Sequence, residues 1–360
     1  LSTLRVTAER LTIHPHPNAD ALELAQVGLY RAVVPKGTYT TGDAALYIPE
    51  QAVVPDPLIA ELGLTGRLAG PDHNRVRAIR LRGELSQGIV CRPASLAGVD
   101  LEAAAAAGTD FAERLGVTKW VPPIPVHMSG DVVPAPDLLR WIEIENIRRH
   151  PGLFTPGEHV IATEKIHGTA CLYTHVAATG EGFVSSKGFG SKSLALVRND
   201  HNLYWRTVLA HGVPEVAACI AKTLGAERVG IFGEVYGAGV QDLAYGVDAK
   251  QATPGYAVFD VALAHAEGRQ WLSAHVLPSL LRWNGELPVV PRLYDGPYDE
   301  ATLLGLAEGT ETISGTSAHV REGIVVRPYY ERHSPILGGR AIGKIVSEAY
   351  LTRKGGTEFE

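Results

Sequence analysis

Between Pro122 and Pro136 the chain places five prolines in the segment "VPPIPVHMSGDVVPAPD". Such a composition is extended and poorly packed, and it suits a linker between two folded parts. The spacing therefore predicts a front module over residues 1–120, a proline-rich linker over 121–137 and a second domain over 138–360. A chain of 360 residues is long enough for both parts to own a core. In the front part, short alternating runs such as "ELAQVGLYRAVVP", "GDAALYIP" and "RVRAIRLRG" are separated by Gly, Pro and Asp turns, which reads as a small β-rich module. "DLEAAAAAGTDFAERLG" reads as a short helix closing it. After the prolines, helical stretches such as "HNLYWRTVLAHGVPEVAACIAKTLG" alternate with the strands "RVGIFGEVYG", "GYAVFDVAL" and "EGIVVRP" without regular βαβ spacing, so an α+β domain of antiparallel sheets with flanking helices is expected.

With 45% hydrophobic residues and a mean hydropathy of +0.02 the chain has the composition of a soluble globular protein, and no apolar run approaches a bilayer span. The opening "LSTLRVTAERLTIHPH" lacks the apolar core of a signal peptide, so a cytoplasmic address with no membrane partner is expected. Cys91, Cys171 and Cys219 form no CxxC pair and read as reduced core residues. The histidine pairs His14/His16 and His201/His211 lack a third ligand in view, which argues against a histidine metal site. A net charge of −6 excludes coating of nucleic acid by bulk electrostatics and leaves room for a local basic groove. Arg75 with Arg77, and Arg80 with Arg82, would each share a strand face and could meet a phosphate backbone, although a charged strand edge that resists aggregation explains them equally.

Only nine of the 33 basic residues are lysine. A primary amine can lose its proton and attack, which a guanidinium cannot. One of the nine, Lys165, stands in "EKIHGT" between two strand-like runs; Lys187 follows 22 residues later in "SSKG", and Glu234 lies 69 residues after Lys165 in "FGEVYG". Phe259 and Asp260 follow in "YAVFDV", Glu322 in "REGIVVRP", and Lys344 in "GKIVSEAYLTRK", 22 residues past Glu322.

That serial order resembles the covalent nucleotidyltransferases, the superfamily of polynucleotide ligases and mRNA capping enzymes. Histidine in "KIHG" is similar to the double-strand-repairing RNA ligases. The front module, "RAIRLRGELSQG", the prolines and the ending "GKIVSEAYLTRKGG" together resemble the Deinococcus-type bacterial RNA ligases. "HPNADALELAQVG" resembles the opening of OB-fold tRNA-binding domains, so the resemblance implies an N-terminal OB fold ahead of an adenylyltransferase domain.

The implied chemistry begins with a lysine amine attacking the α-phosphorus of ATP, for which the amine must be unprotonated well below its ordinary pKa of about 10.4. Burial and the charges of Lys187, Lys344 or a bound metal ion would lower it, while Glu164 should face away from Lys165 across the strand. The resemblance implies that Lys165 becomes lysyl-AMP, with Lys344 and Glu322 also catalytic. Glu164, Ile166, His167 and Gly168 would surround the nucleotide, with His167 near its ribose-phosphate. Lys187 would engage ribose or phosphate oxygens, Glu234 would accept from a ribose hydroxyl, and Phe259 would stack on adenine. Glu322 and Glu234 would hold Mg²⁺ or Mn²⁺. Many ligases carry a second lysine two positions after the one at Lys344; here that place is Val346, so Arg340 or Lys354 could share the task. The expected substrate is a nicked RNA duplex or RNA–DNA hybrid with RNA on the 3′-OH side, sealed by a monomer. A DNA ligase, a capping-type enzyme and a non-catalytic nucleic-acid-binding protein are the alternatives.

Overall fold

Two separately packed units make up the computed structural model, which describes residues 4–248 and 253–358. The first is Leu1–Val121 with Arg148–Pro151; the second is Pro122–Ile147 with Gly152–Glu360.

In the first unit, Tyr30–Pro35 alternates buried and exposed residues, so Tyr30, Ala32 and Val34 point inward while Arg31 faces solvent. This strand pairs with Leu22–Val27, which pairs with Thr12–Pro15. A second antiparallel sheet joins Thr7–Arg10, Ala44–Ile48 and Ile89–Cys91, and Ala44–Ile48 is buried along its whole length because both of its faces meet core. The closing helix is two helices, Leu101–Ala107 and Ala112–Leu115. Gly108 at φ 61 ends the first, and the Asp110 carboxylate starts the second by accepting from Ala112 N while also accepting from Val6 N. Arg148–Pro151 belongs here although it lies beyond the prolines, because Leu29 N donates to Arg148 O and the Arg149 guanidinium donates to Thr7 and Glu9.

The arginine expectation needs correction. Arg75 is buried, donates to Gln51 Oε1 at 2.7 Å and lies over the Trp120 ring, 3.3 Å from its centroid, so it is structural. Arg80 sits in the short strand Ile79–Leu81, but Arg82 (φ 49) and Gly83 (φ 92) form the two-residue turn to Glu84–Ser86. Positive φ at both positions suits this tight hairpin and takes Arg82 out of the strand. Arg80 and Arg82 are exposed and Arg77 is half-buried.

The second unit holds a seven-stranded antiparallel sheet and a five-stranded sheet among the described residues. Thr169–Val176, Arg228–Tyr236 and Gly255–His265 are successive neighbours within the first. His159–Lys165 lies between Gly323–Pro328 and Arg292–Pro297 in the second, where Glu145–Asn146 pairs in parallel with Gly343–Val346. The helix Val213–Leu224 buries Val213, Val216, Ala217 and Ile220, one helical stripe, against the large sheet.

The proline segment is not an unpacked linker. Val132–Pro134 pairs with Leu194–Leu196 at the edge of the large sheet, where a proline is tolerated. Met128 and Ala135 are fully buried, Met128 in the main core of this unit. Prolines terminated regular structure here without preventing burial. Met128→Ala is accordingly expected to lower the unfolding free energy by about 2–4 kcal/mol, read by urea denaturation; an unchanged midpoint would return this segment to a linker.

Candidate active site

Lys165 ends the strand His159–Lys165, on which Ile161, Thr163 and Lys165 alternate onto one face and line a cavity of about 290 Å³. Glu164 touches the cavity lining, but its carboxylate turns the other way, as alternation implies: it is fully buried, accepts from Thr312 N and Oγ1, and lies 3.7 Å from Arg321, so its expected place around the nucleotide is corrected to a structural one. After Lys165 the chain turns through Ile166–Gly168 into Thr169–Val176. Gly168 is required there, because a Cβ would stand 2.1 Å from Val235 O. Its amide donates to Glu234 Oε1 at 3.1 Å, which ties the turn to the neighbouring strand.

Strand register assembles the rest. Lys165 pairs with Gly323, which brings Glu322 alongside, and the Lys165 amine donates to Glu322 Oε1 at 2.7 Å. Val325 pairs with Lys344, so the second lysine enters the same cavity. Lys187 follows the Ser186 cap of a short helix and donates to Glu143 Oε2 at 2.9 Å. Glu234 and half-buried Phe259 complete the lining predicted for a nucleotide. Asp260, next to Phe259, is fully buried and accepts from Arg327 at 2.8 Å and Arg340 at 2.6 Å.

Charge in this cluster is distributed differently from expectation. Burial would depress the Lys165 pKa, but the charges of Glu322 and Glu234 and the Glu322 hydrogen bond outweigh it and hold the amine above its ordinary value. Lys165 in this state is protonated. Lys344 is instead lowered to about 8, by burial and then by the charges of Lys165 and Lys187. Burial, with a further contribution from Glu322, pushes Glu234 up to about 8 against the opposing pull of Lys165.

His167 is a second departure. Its ring is buried and does not line the cavity. Nε2 hydrogen-bonds Asp242 Oδ1 and Nδ1 hydrogen-bonds the Tyr350 hydroxyl, each at 2.8 Å, while its amide donates to Tyr245 Oη at 2.7 Å. Arg353 donates to Asp242 Oδ2 at 2.9 Å, and Thr357 N donates to Asp242 Oδ1 at 2.8 Å. Asp242, Tyr245, Tyr350 and Arg353 thus fix the turn carrying Lys165, a set the sequence did not signal because its members lie 75 or more residues from His167 along the chain. Arg340 cannot supplement Lys344: Asp260 and Glu331 occupy it, and it lies outside the cavity lining. Lys354 is exposed and also absent from the lining.

The carboxylates suit a hard divalent cation. Glu322 Oε2 is buried without a hydrogen-bond partner among the described residues; Glu322 stands behind the cavity lining, its other oxygen accepting from Lys165, while Glu234 lines the cavity itself. No group of three or more His, Cys, Asp or Glu able to hold a metal occurs among the described residues; a divalent ion at Glu322 and Glu234 would keep positions for phosphate and water.

A family model for RNA ligases matches residues 158–346, more than half the chain and the span from Lys165 to Lys344. The chain belongs to the RNA ligase family. Ahead of this RNA ligase domain, a model for an OB-fold domain matches residues 5–93, which identifies the front unit as an OB fold. The solved RNA ligase of Naegleria gruberi has the same fold. Its structure with PPi has a TM-score of 0.78 at 22% identity, covering 97% of this chain and 98% of that one. A lysine-to-alanine mutant of that enzyme with ATP and Mn has a TM-score of 0.77 at 22% identity, covering 96% and 98%. A lysine-to-methionine mutant with AMP and Mn has a TM-score of 0.78 at 22% identity, covering 96% and 97%. A comparison with curated protein sequences gave no match. Among the described residues of this RNA ligase family member, no helix is long and apolar enough to cross a membrane.

Proposed function

We propose that this family member is an ATP-dependent RNA ligase that forms lysyl-AMP on Lys165 and seals 3′-OH/5′-phosphate nicks in duplex nucleic acid carrying RNA on the 3′-OH side. The observation that carries the reading is the convergence of Lys165, Lys187, Lys344 and Glu234 on the wall of one cavity that also includes Phe259, with Glu322 joined to Lys165 by a hydrogen bond. ATP, AMP, PPi and Mn named with the Naegleria gruberi enzyme support the same choice of nucleotide and a divalent ion. The front OB fold and the ending "GKIVSEAYLTRKGG" support the Deinococcus-type placement. Three free cysteines suit a reducing cytoplasm.

In this reading adenine stacks on Phe259, Glu234 accepts from a ribose hydroxyl, and Lys187 exchanges Glu143 for the nucleotide. Lys344 meets the α-phosphate, whose negative charge favours its protonated form. A divalent cation held by Glu322, with Glu234 nearby, would neutralise phosphate charge and compete for the carboxylate that now holds Lys165 protonated. Lys165 then gives up a proton and its nitrogen attacks the α-phosphorus; the new N–P bond forms as the P–O bond to pyrophosphate breaks. A 5′-phosphate oxygen next displaces the lysine nitrogen and takes the AMP. Finally the 3′-hydroxyl attacks the 5′-phosphorus, loses its proton and expels AMP. Intact mass after incubation with ATP and Mg²⁺ or Mn²⁺ tests the first step: a gain of one AMP supports it, and no gain with ATP, GTP or NAD would replace it with nucleic-acid binding alone.

The exposed Arg80 and Arg82 are proposed to meet substrate phosphates. Arg80→Ala with Arg82→Ala should weaken nicked-duplex binding and flatten the slope of log affinity against log salt by about 0.9 for each arginine–phosphate pair removed. A titration series with an unchanged slope would assign both residues to a solvated hairpin.

A further inference from the structure

Trp141 has no part in the steps above, and it stands upstream of the matched span 158–346, yet it lines the same cavity. Its ring meets Phe259 at 5.0 Å and 63°, Phe232 at 5.3 Å and Trp271 at 5.3 Å. The Arg340 guanidinium lies 4.0 Å from the centroid of Trp271 and donates to Asp260, the residue after Phe259. Phe259 is thereby gripped twice: Asp260 and Arg340 hold its backbone neighbour, and Trp141 holds its ring. The same upstream segment supplies Glu143, which accepts a hydrogen bond from the cavity-lining Lys187. A half-buried phenyl ring without such a neighbour would have more rotameric freedom to lose when a base stacks on it.

We propose that Trp141 is a positioning residue that sets the plane of the Phe259 ring, so that nucleotide affinity depends on a segment outside the span matched by the family. This rests on the reading of Phe259 as the adenine platform. Pre-setting the ring places the loss of freedom in folding and leaves more of the stacking interaction available as affinity. Edge-on aromatic pairs contribute enough beyond simple burial to alter binding by roughly three- to tenfold.

AMP binding by calorimetry and the ATP dependence of adduct formation should be measured for wild type, Trp141→Ala, Trp141→Phe, Phe259→Ala and the double Trp141→Ala/Phe259→Ala variant. Trp141→Ala is expected to weaken AMP binding and raise the half-saturating ATP concentration by about three- to tenfold, with a smaller change in the saturated rate. Trp141→Phe should recover most of that loss. In the Phe259→Ala background the Trp141→Ala change should add less than about twofold, because the two effects act through one pair of rings. Unchanged affinity in Trp141→Ala, full additivity in the double variant, or a reduced adduct yield with unmoved half-saturation would each overturn the proposal. Wild type that binds AMP but forms no adduct would overturn the ligation chemistry while the affinity series still decides the role of Trp141; wild type that binds no AMP overturns both.

Discussion

Lys165→Ala is expected to fold, to keep nucleotide binding, and to lose the AMP adduct by on the order of 10⁴-fold or more. The reason is not that Lys165 is the most easily deprotonated amine in the cavity. Lys344, lowered to about 8, has the larger neutral fraction near neutral pH, whereas Glu322 holds Lys165 protonated. If basicity alone chose the nucleophile, Lys344 would carry the AMP. Position favours Lys165: it ends a strand beside the Gly168 turn and hydrogen-bonds a carboxylate that also has an unpartnered oxygen. Cation binding at that carboxylate would release the amine. Peptide mapping of the wild-type adduct checks the assignment, with Lys165→Ala as the control. A mass gain that persists in the variant and maps to Lys344 would reverse the two roles.

The sites legible in the sequence were those whose signal is local and whose order along the chain is retained. "EKIHGT", "FGEVYG" and "REGIVVRP" each place a polar residue at or beside a strand, and pairing of Lys165 with Gly323 and of Ala170 with Glu234 brings them together. Alternation along the strand also predicted correctly that Glu164 would face away from Lys165. Partner choice was less legible, because it depends on residues distant in sequence. His167 sits in the expected motif but bonds to Asp242 and Tyr350 instead of lining the cavity. Arg75 has the charge of a phosphate ligand, yet Trp120 and Gln51 occupy it. The proline segment misled for a related reason: composition reports the lack of regular hydrogen bonding, while the burial of Met128 is decided by a core built from residues 171–287. Trp141 lay in the part assigned to the second domain, but nothing in its local sequence marked it as a neighbour of Phe259.

Glu322→Gln should slow adduct formation by about 10²–10³-fold and move the remaining pH profile toward lower pH. Glutamine keeps the volume and one oxygen near the Lys165 amine, but it removes the negative charge that raises the lysine pKa and would hold a divalent cation. These losses act in opposite directions. A less basic Lys165 is neutral at lower pH and so readier to attack, while weaker cation binding leaves phosphate charge uncompensated at the moment of transfer. The second effect is larger, because it acts on the reacting phosphate, so the rate falls even as the profile shifts. Stability carries the same signature. A lysine whose folded-state pKa is raised stabilises the fold below its unfolded-state pKa and loses that contribution as pH rises through the folded value. The destabilisation by Glu322→Gln should therefore be greatest near neutral pH and fade in alkaline solution. Adduct rates and urea midpoints across pH separate these effects. A normal rate with an unshifted profile would show that Glu322 neither holds the cation nor controls the Lys165 proton.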